Sequence, residues 1–487
     1  MQDNKTGKVV ESSSRIRLAP DNDLPRRRFL QMIGAGAGLA ATGVRTTPSQ
    51  AQSSTGYWNA VEKSFILDPR FVFMNIGTAG SMPRKVLQYF DNANREYARE
   101  SDNGYGSFGA LREQIAPGFG MDPDELVVSY NTSDGMCHAI LGIPWQAGDC
   151  VVTTNHEHPG GNVPLQIAED RYGIVVRRVE LPVGNNQTAQ DYVDLFENAI
   201  LAAQAEGLNV RAMMWSSPTY ITGTMLPIRR LVELAIEYGL ITICDGAHLP
   251  GMMAYDYAEL GVDFMSGAGH KWQCGPGSTG ILVIRNKIRE AANPLPLPTY
   301  FPVVTSSYSP TRPRLNGEGR VPWSERATGP EATYDIAAVI QSCGSKHSPM
   351  LNSLGVACEL WDNIGRQNIQ DYILGLGGYL KQQVASRWGV EALFAPMDDP
   401  ELLSALTSFN PFIDPAMVND ADASSTFVRR LREEYGFIVR NTSVPLAGTE
   451  VRPRPIRVST HLWHDVNDVD RVVDACWDLA NRMDQGM

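Results

Sequence analysis

"SGAGHKWQCGPGSTGILVIR", residues 266–285, sets one lysine between a histidine and a tryptophan in a glycine-rich turn and then runs into an apolar strand. Lys271 in that setting is not read as a solvated surface charge. It is either a structural lysine held in a salt bridge or a lysine partly withdrawn from water. A withdrawn lysine gives up its proton more readily and becomes an amine nucleophile toward carbonyls. Which of the two applies depends on what the rest of the chain brings to the same place.

Around this stretch, short apolar runs alternate with helical patterns. "ELVVSY" (125–130), "CVVTT" (150–154), "GIVVRRVEL" (173–181), "VRAMMW" (210–215), "LITICD" (240–245) and "GILVIR" (280–285) read as strands. Residues 188–206 and 228–239 read as helices, with apolar positions three and four apart. Strands that are apolar throughout and separated by helices predict an α/β fold, with a mostly parallel sheet covered on both faces. Residues 57–330 are assigned to this large domain, and its proline-rich end, 293–330, to a long ordered loop of the kind that usually carries function. Beyond it, 331–390 reads as helical. "ALTSFNPF" (405–412), "FVRRLREEYGFIVR" (427–440) and "RPIRVSTHLW" (454–463) complete a small α+β domain over 331–487.

The chain has 487 residues, 43% of them hydrophobic and 20% charged, enough for one large or two medium cores of an ordinary globular protein. Its net charge of -12 argues against a nucleic-acid or anionic-membrane partner, which wants a basic face. The N-terminus has its own character. "PRRRFLQMIGAGAGLAATG" (25–43) places adjacent arginines before Phe29 and Leu30 and a short, weakly apolar, glycine-rich segment, and "SQA" ends at Ala51. This resembles a twin-arginine export signal over residues 1–51, the alternative being a basic tail. The resemblance implies a periplasmic or secreted protein that uses the twin-arginine machinery. The apolar segment is far below the ~20 residues that span a bilayer, so no stable membrane anchor is expected. Seven scattered cysteines (Cys137, Cys150, Cys244, Cys274, Cys343, Cys358 and Cys476) form no framework and read mostly as buried thiols.

Three further clusters bear on Lys271. In "VVSYNTSDGMCHAI" (127–140) a strand ends and Asn131, Thr132 and Ser133 open a helix, where free N–H groups and hydroxyls favour an anion such as a phosphate; a plain N-cap is the alternative. In "TTNHEHPGGN" (153–162), His156 and His158 alternate as metal ligands do, and His158 equally suits lying flat against an aromatic ring. In "ICDGAHLPG" (243–251), Asp245 ends an apolar strand at the edge where open α/β sheets place their ligands. A carboxylate there needs a cationic or N–H partner, for which a protonated pyridine nitrogen serves. A phosphate site, a ring-stacking histidine, an aspartate for a ring nitrogen and a lysine for an aldehyde together describe pyridoxal 5'-phosphate (PLP).

In this order and spacing, the clusters resemble the class V aminotransferase group of fold-type I PLP enzymes, from about residue 70 to the end. "DGAHLPG", followed some twenty residues on by "HKW", is closest to the isopenicillin N epimerase-like branch. The resemblance implies a large domain with a mostly parallel, seven-stranded type of sheet and a small C-terminal domain. It makes Lys271 the residue that bonds the cofactor's aldehyde, Asp245 the partner of the pyridine nitrogen and His158 the ring that stacks on it. Thr132, Ser133, Ser266 and His270 would hold the phosphate, and His248 would lie near the ring oxygen. A homodimer is implied, with Thr328 reaching the other subunit's phosphate. Arg457 in "IRVSTHLW" matches an arginine that holds a substrate carboxylate, and Tyr220 stands where the family places a residue over the cofactor.

The expected activity is that of an exported PLP enzyme acting at the α-carbon of an amino acid or peptide-like amine, as an aminotransferase or epimerase. A relative that works in siderophore maturation makes tailoring of a secondary metabolite a variant of that reading. Desulfuration through a persulfide is disfavoured, because "VRNTSVPLAGTEVRPRPIRVS" (439–459) holds no cysteine. Two other classes stay open on sequence: a metal-dependent hydrolase using His156, His158, His248 and Asp245, and a PLP-fold protein that binds without turnover.

Overall fold

A computed structural model describes residues 55–307, 309, 311–313, 319–322 and 335–487. The export signal read at 1–51 and Thr328 lie outside the described residues. Seven strands form the main sheet: β1 (Leu126–Ser129), β2 (Asp149–Thr154), β3 (Val175–Val179), β4 (Asn209–Ser216), β5 (Ile241–Asp245), β6 (Phe264–Ala268) and β7 (Gly280–Ile284). Their spatial order is β1-β7-β6-β5-β4-β2-β3, and only β7 runs against its neighbours. This is the α/β architecture expected from the apolar runs. β1, β2, β6 and β7 are buried along their whole length, and β5 from Thr242 onward, as strands covered on both faces must be.

The sequence reading set Lys271 in a glycine-rich turn and assigned no strand between 245 and 280, whereas Ser266, Gly267 and Ala268 lie in β6, between β5 and β7. Small residues give no strand signal, yet packing demands them here. The helix α2 (Thr132–Leu141) crosses so close to β6 that a Cβ on Gly135 would stand 2.2 Å from Ser266 Oγ. The other helices named below are α1 (Arg84–Glu100), α3 (Pro159–Tyr172), α4 (Ala189–Ala205), α5 (Ile228–Tyr238), α6 (Ser348–Ile364), α7 (Arg366–Trp388), α8 (Ala421–Tyr435) and α9 (Val466–Asp484).

Two apolar clusters follow. The first joins Val127, Val151, Met214, Ile243, Phe264 and Leu282 of the sheet to α2, α3 and Ile336–Ile340. The second packs α7, α8 and α9 on a three-stranded antiparallel sheet of β8 (Leu406–Phe409), β9 (Arg440–Asn441) and β10 (Ile456–Ser459), ordered β8-β10-β9. Met74, from near the start of the described chain, sits in this second cluster, because Val72–Phe73 pairs in parallel with Phe437–Ile438. The stretch expected to be a long loop contributes a short antiparallel pair, Thr311–Pro313 with Arg320–Pro322. All seven cysteines are free thiols, five of them buried. Among the described residues, no helix is long and apolar enough to cross a membrane.

At the end of the sheet away from the carboxyl edge of β5, a buried ion pair fastens three adjacent strands. Arg285, just after β7, donates from Nε to Asp263 Oδ1 at 2.9 Å, and Asp263 Oδ2 accepts from the backbone N–H and hydroxyl of Thr242 in β5 at 2.9 and 3.0 Å. Both side chains are buried. Removing one member of such a pair strands the other charge, at a cost of about 3–5 kcal/mol. Asp263→Ala is therefore expected to lower unfolding free energy by about 3 kcal/mol or more in urea titration. A loss under ~1 kcal/mol, the scale of an exposed pair, would mean the bond does not fasten the strands.

Candidate active site

β1, β2, β4, β5 and β6 share one direction, and the chain that leaves each of their carboxyl ends contributes to a single cavity of about 480 Å³. After β1, Asn131 caps α2 by accepting from Asp134 N–H at 2.9 Å, which leaves the first N–H groups of that helix facing the cavity edge beside Thr132 and Ser133. After β2, His158 caps α3: its Nδ1 accepts from Gly160 N–H at 3.0 Å, so the ring proton sits on Nε2. After β4 comes Tyr220, whose ring meets that of His158 edge-on at 5.0 Å. Asp245 ends β5, and Lys271 follows β6 by three residues.

The lysine's turn is fixed from several sides. Cys274 N–H donates to Lys271 O at 3.1 Å, Gly275 N–H to Gly269 O at 2.8 Å, and Gly80 N–H to His270 O at 2.8 Å. Register then brings the lysine back over Asp245, since Asp245 pairs with Ser266 across β5 and β6.

Burial dominates the electrostatics. Asp245 is 3% exposed, and its carboxyl is pushed above the usual range by burial, opposed by Lys271 and by the Ala247 N–H that it accepts at 3.0 Å. Lys271 is pushed down to about 8 by burial, Arg457 and Arg440, against the pull of Asp245. In both, loss of water outweighs the attraction between them. The walls of the cavity, with Lys271, Arg440 and Arg457, lower His158 to about 4. His248 is held neutral by burial, and its Nδ1 accepts from Trp272 Nε1–H at 3.0 Å, so Nε2 carries its proton and has no partner.

Of the residues singled out by sequence, Thr132, Ser133, His158, Tyr220, Asp245, His248, His270, Lys271 and Arg457 line this cavity. Ser266 does not. Its hydroxyl is committed to Thr132 O at 3.0 Å and Ile281 O at 3.3 Å, so it ties α2 to the sheet instead of facing a phosphate. Sequence reasoning missed Gly77, Thr78, Ser278 and Arg440, which also line the cavity. Gly77 had a physical signature only in three dimensions: a Cβ there would stand 2.6 Å from Arg457 Nη2. Arg440 was read only as the end of a segment of the small domain and in a stretch without cysteine, not as a site residue. Among the described residues, no group of three or more His, Cys, Asp or Glu is placed to hold a metal ion, and His156 is buried away from the cavity.

The donors present fit PLP. Thr132 Oγ1 is buried without a partner beside the start of α2, as a phosphate cradle requires. Asp245 keeps one carboxylate oxygen free of protein hydrogen bonds, His248 keeps an unmatched Nε2–H, and Lys271 opens on the same space.

The aminotransferase class-V family model matches residues 81–308. Over 429 residues the chain is 24% identical to the isopenicillin N epimerase of Amycolatopsis lactamdurans, covering 87% of this chain and 98% of that one. The isopenicillin N epimerase of Streptomyces clavuligerus is 26% identical over 427 residues, covering 86% and 97%. Among solved structures, the apo cysteine desulfurase of Thermococcus onnurineus NA1 aligns with a TM-score of 0.64 at 17% identity, over 87% of this chain and 98% of that one. A cystine C–S lyase in complex with its product cysteine persulfide aligns with a TM-score of 0.63 at 20% identity, over 84% and 98%. Residues 81–308 thus match the aminotransferase class-V model in a chain of fold-type I architecture, and the residues lining this cavity fit pyridoxal 5'-phosphate.

Proposed function

We propose that this class-V PLP enzyme acts at the α-carbon of an amino acid or peptide-like amine, as an aminotransferase or epimerase. The observation that carries the reading is the pairing of a water-poor lysine with a buried aspartate across one cavity of cofactor size. When bound, PLP supplies an aldehyde that takes up a primary amine and a pyridine ring that withdraws electrons from the α-carbon. Lys271 is the amine that would hold the aldehyde, and its free amine would be the base placed to take the α-proton. Asp245 would keep a proton on the ring nitrogen, and a cation at that point would offset the burial penalty on its own carboxylate. His158 would stack on the ring, and the unpartnered Nε2–H of His248 would be free to donate to the ring oxygen. Thr132, Ser133 and His270 would hold the phosphate with the N-terminus of α2.

Arg457 takes the substrate carboxylate. It is 1% exposed, its Nη1 donates to Tyr220 O at 2.6 Å, and its Nε and Nη2 have no partner. Epimerisation needs a second acid on the face away from Lys271, and burial holds the Tyr220 phenol above its usual range, hence protonated. No cysteine is among the residues lining the cavity, which weighs against desulfuration through a persulfide. The reading includes a homodimer in which Thr328 completes the neighbouring subunit's phosphate cradle, and twin-arginine export on the strength of residues 25–43.

Borohydride reduction followed by peptide mass spectrometry is expected to find a reduced pyridoxyl group on Lys271 in the wild type and none in Lys271→Ala; a wild type without the adduct overturns the cofactor role of this lysine. The lowered pKa of Lys271 gives a pH signature. Below about 8 the group is an ammonium without a free electron pair, so the rate at which apoprotein captures PLP rises with pH and levels off above about 8. An inflection near the ordinary lysine value of 10.5 would contradict the burial argument. Arg457→Ala removes a charge-assisted, two-pronged bond, which predicts about 10- to 100-fold weaker binding of carboxylate substrates by spectral titration. Unchanged affinity removes that assignment.

A further inference from the structure

Two arginines stand side by side on one wall of the cavity. Arg440 in β9 and Arg457 in β10 are direct partners across an antiparallel pair, and both line the cavity. Like charges placed opposite each other destabilise a sheet. Among the described residues lining the cavity, Asp245 is the one carboxylate, and it lies with Lys271. Arg440 is exposed, and its recorded hydrogen bond is a long one, 3.5 Å from Nη1 to the hydroxyl of Thr78. The repulsion is real enough to help burial press Arg457 down to about 9. A paired positive wall of this kind calls for anions from outside the chain.

One carboxylate does not use both arginines fully. With Nη1 given to Tyr220 O, the free Nε and Nη2 of Arg457 form one edge of the guanidinium, which a single carboxylate saturates with two parallel bonds. Gly77 closes against that guanidinium, so the anion comes from the cavity side. Arg440 is left at the exposed rim with a full charge, its donors and the Thr78 hydroxyl beside it.

We propose that Arg440 determines specificity: the substrate carries a second anionic group, a side-chain carboxylate or its equivalent, which Arg440 and Thr78 receive at the rim while Arg457 holds the α-carboxylate. This rests on the reading of Arg457 given above. The substrate class is then an acidic amino acid, or a peptide-like amine whose acidic group lies a few bonds from the reacting carbon.

Calorimetric titration of the PLP-loaded enzyme with glutarate and with butyrate tests this without any amine chemistry. Glutarate is expected to bind about fivefold or more tightly, the scale of one exposed ion pair, where two equivalent carboxylates alone give about twofold. The preference should shrink as salt is raised, fall to about twofold in Arg440→Ala, and survive in part in Arg440→Lys, which keeps the charge. Equal affinities in the wild type, a preference that persists in Arg440→Ala, or equal losses for both ligands in that variant would each overturn the proposal. Failure of the cofactor reading shows separately, as a wild type that gains no pyridoxyl adduct at Lys271.

Discussion

The amine of Lys271 and the carboxylate of Asp245 share a space from which water is largely excluded, and neither is fully compensated by the other. Their opposite charges attract, yet burial moves each toward its neutral form. Two groups in that condition are sensitive to whatever lies between them, because a bound cation or dipole meets little screening there. The fold serves this pairing at every level. Adjacent parallel strands bring Asp245 level with Ser266, and the turn after β6, held at Gly269, His270 and Lys271, returns the lysine toward the aspartate.

The cavity handles anions in two different ways. On the α2 side, the groups available to a phosphate are neutral: hydroxyls, backbone N–H groups at a helix start, and His270, whose imidazole burial holds below its ordinary pKa. On the β9–β10 side there are two formal positive charges and few neutral donors. Partial charges aligned by a helix bind a fixed cofactor without attracting every passing anion, whereas formal charges set in a rim draw ligands in from solution. A resident group and an exchanging one thus meet different electrostatics within one cavity.

Much of this was legible in the sequence because it depends on local chemistry. Asp245 at the end of "LITICD", the hydroxyls after "ELVVSY" and the lysine in its glycine-rich turn each signal a strand end that holds a ligand. What was not legible depends on distant contacts. β6 was missed because its small residues answer to distant packing, Ser266 to the close passage of α2 and Gly267 to Pro250, which propensity does not record. For the same reason Ser266 was placed in the phosphate cradle, although its hydroxyl is spent on Thr132 O. Arg440 could not be found by pattern, since its meaning lies in standing opposite Arg457 on a neighbouring strand.

The contact between Gly77 and Arg457 joins positions 380 residues apart in the chain. Closing so long a span is entropically costly and comes late in folding, after more local structure has formed. A ribosome must have released nearly the whole polypeptide before the carboxylate-binding wall exists. The pocket is therefore complete only after residue 457 has emerged, long after the last strand of the main sheet, Gly280–Ile284, has been made, and a chain that stops short of Arg457 lacks the guanidinium that finishes the receptor.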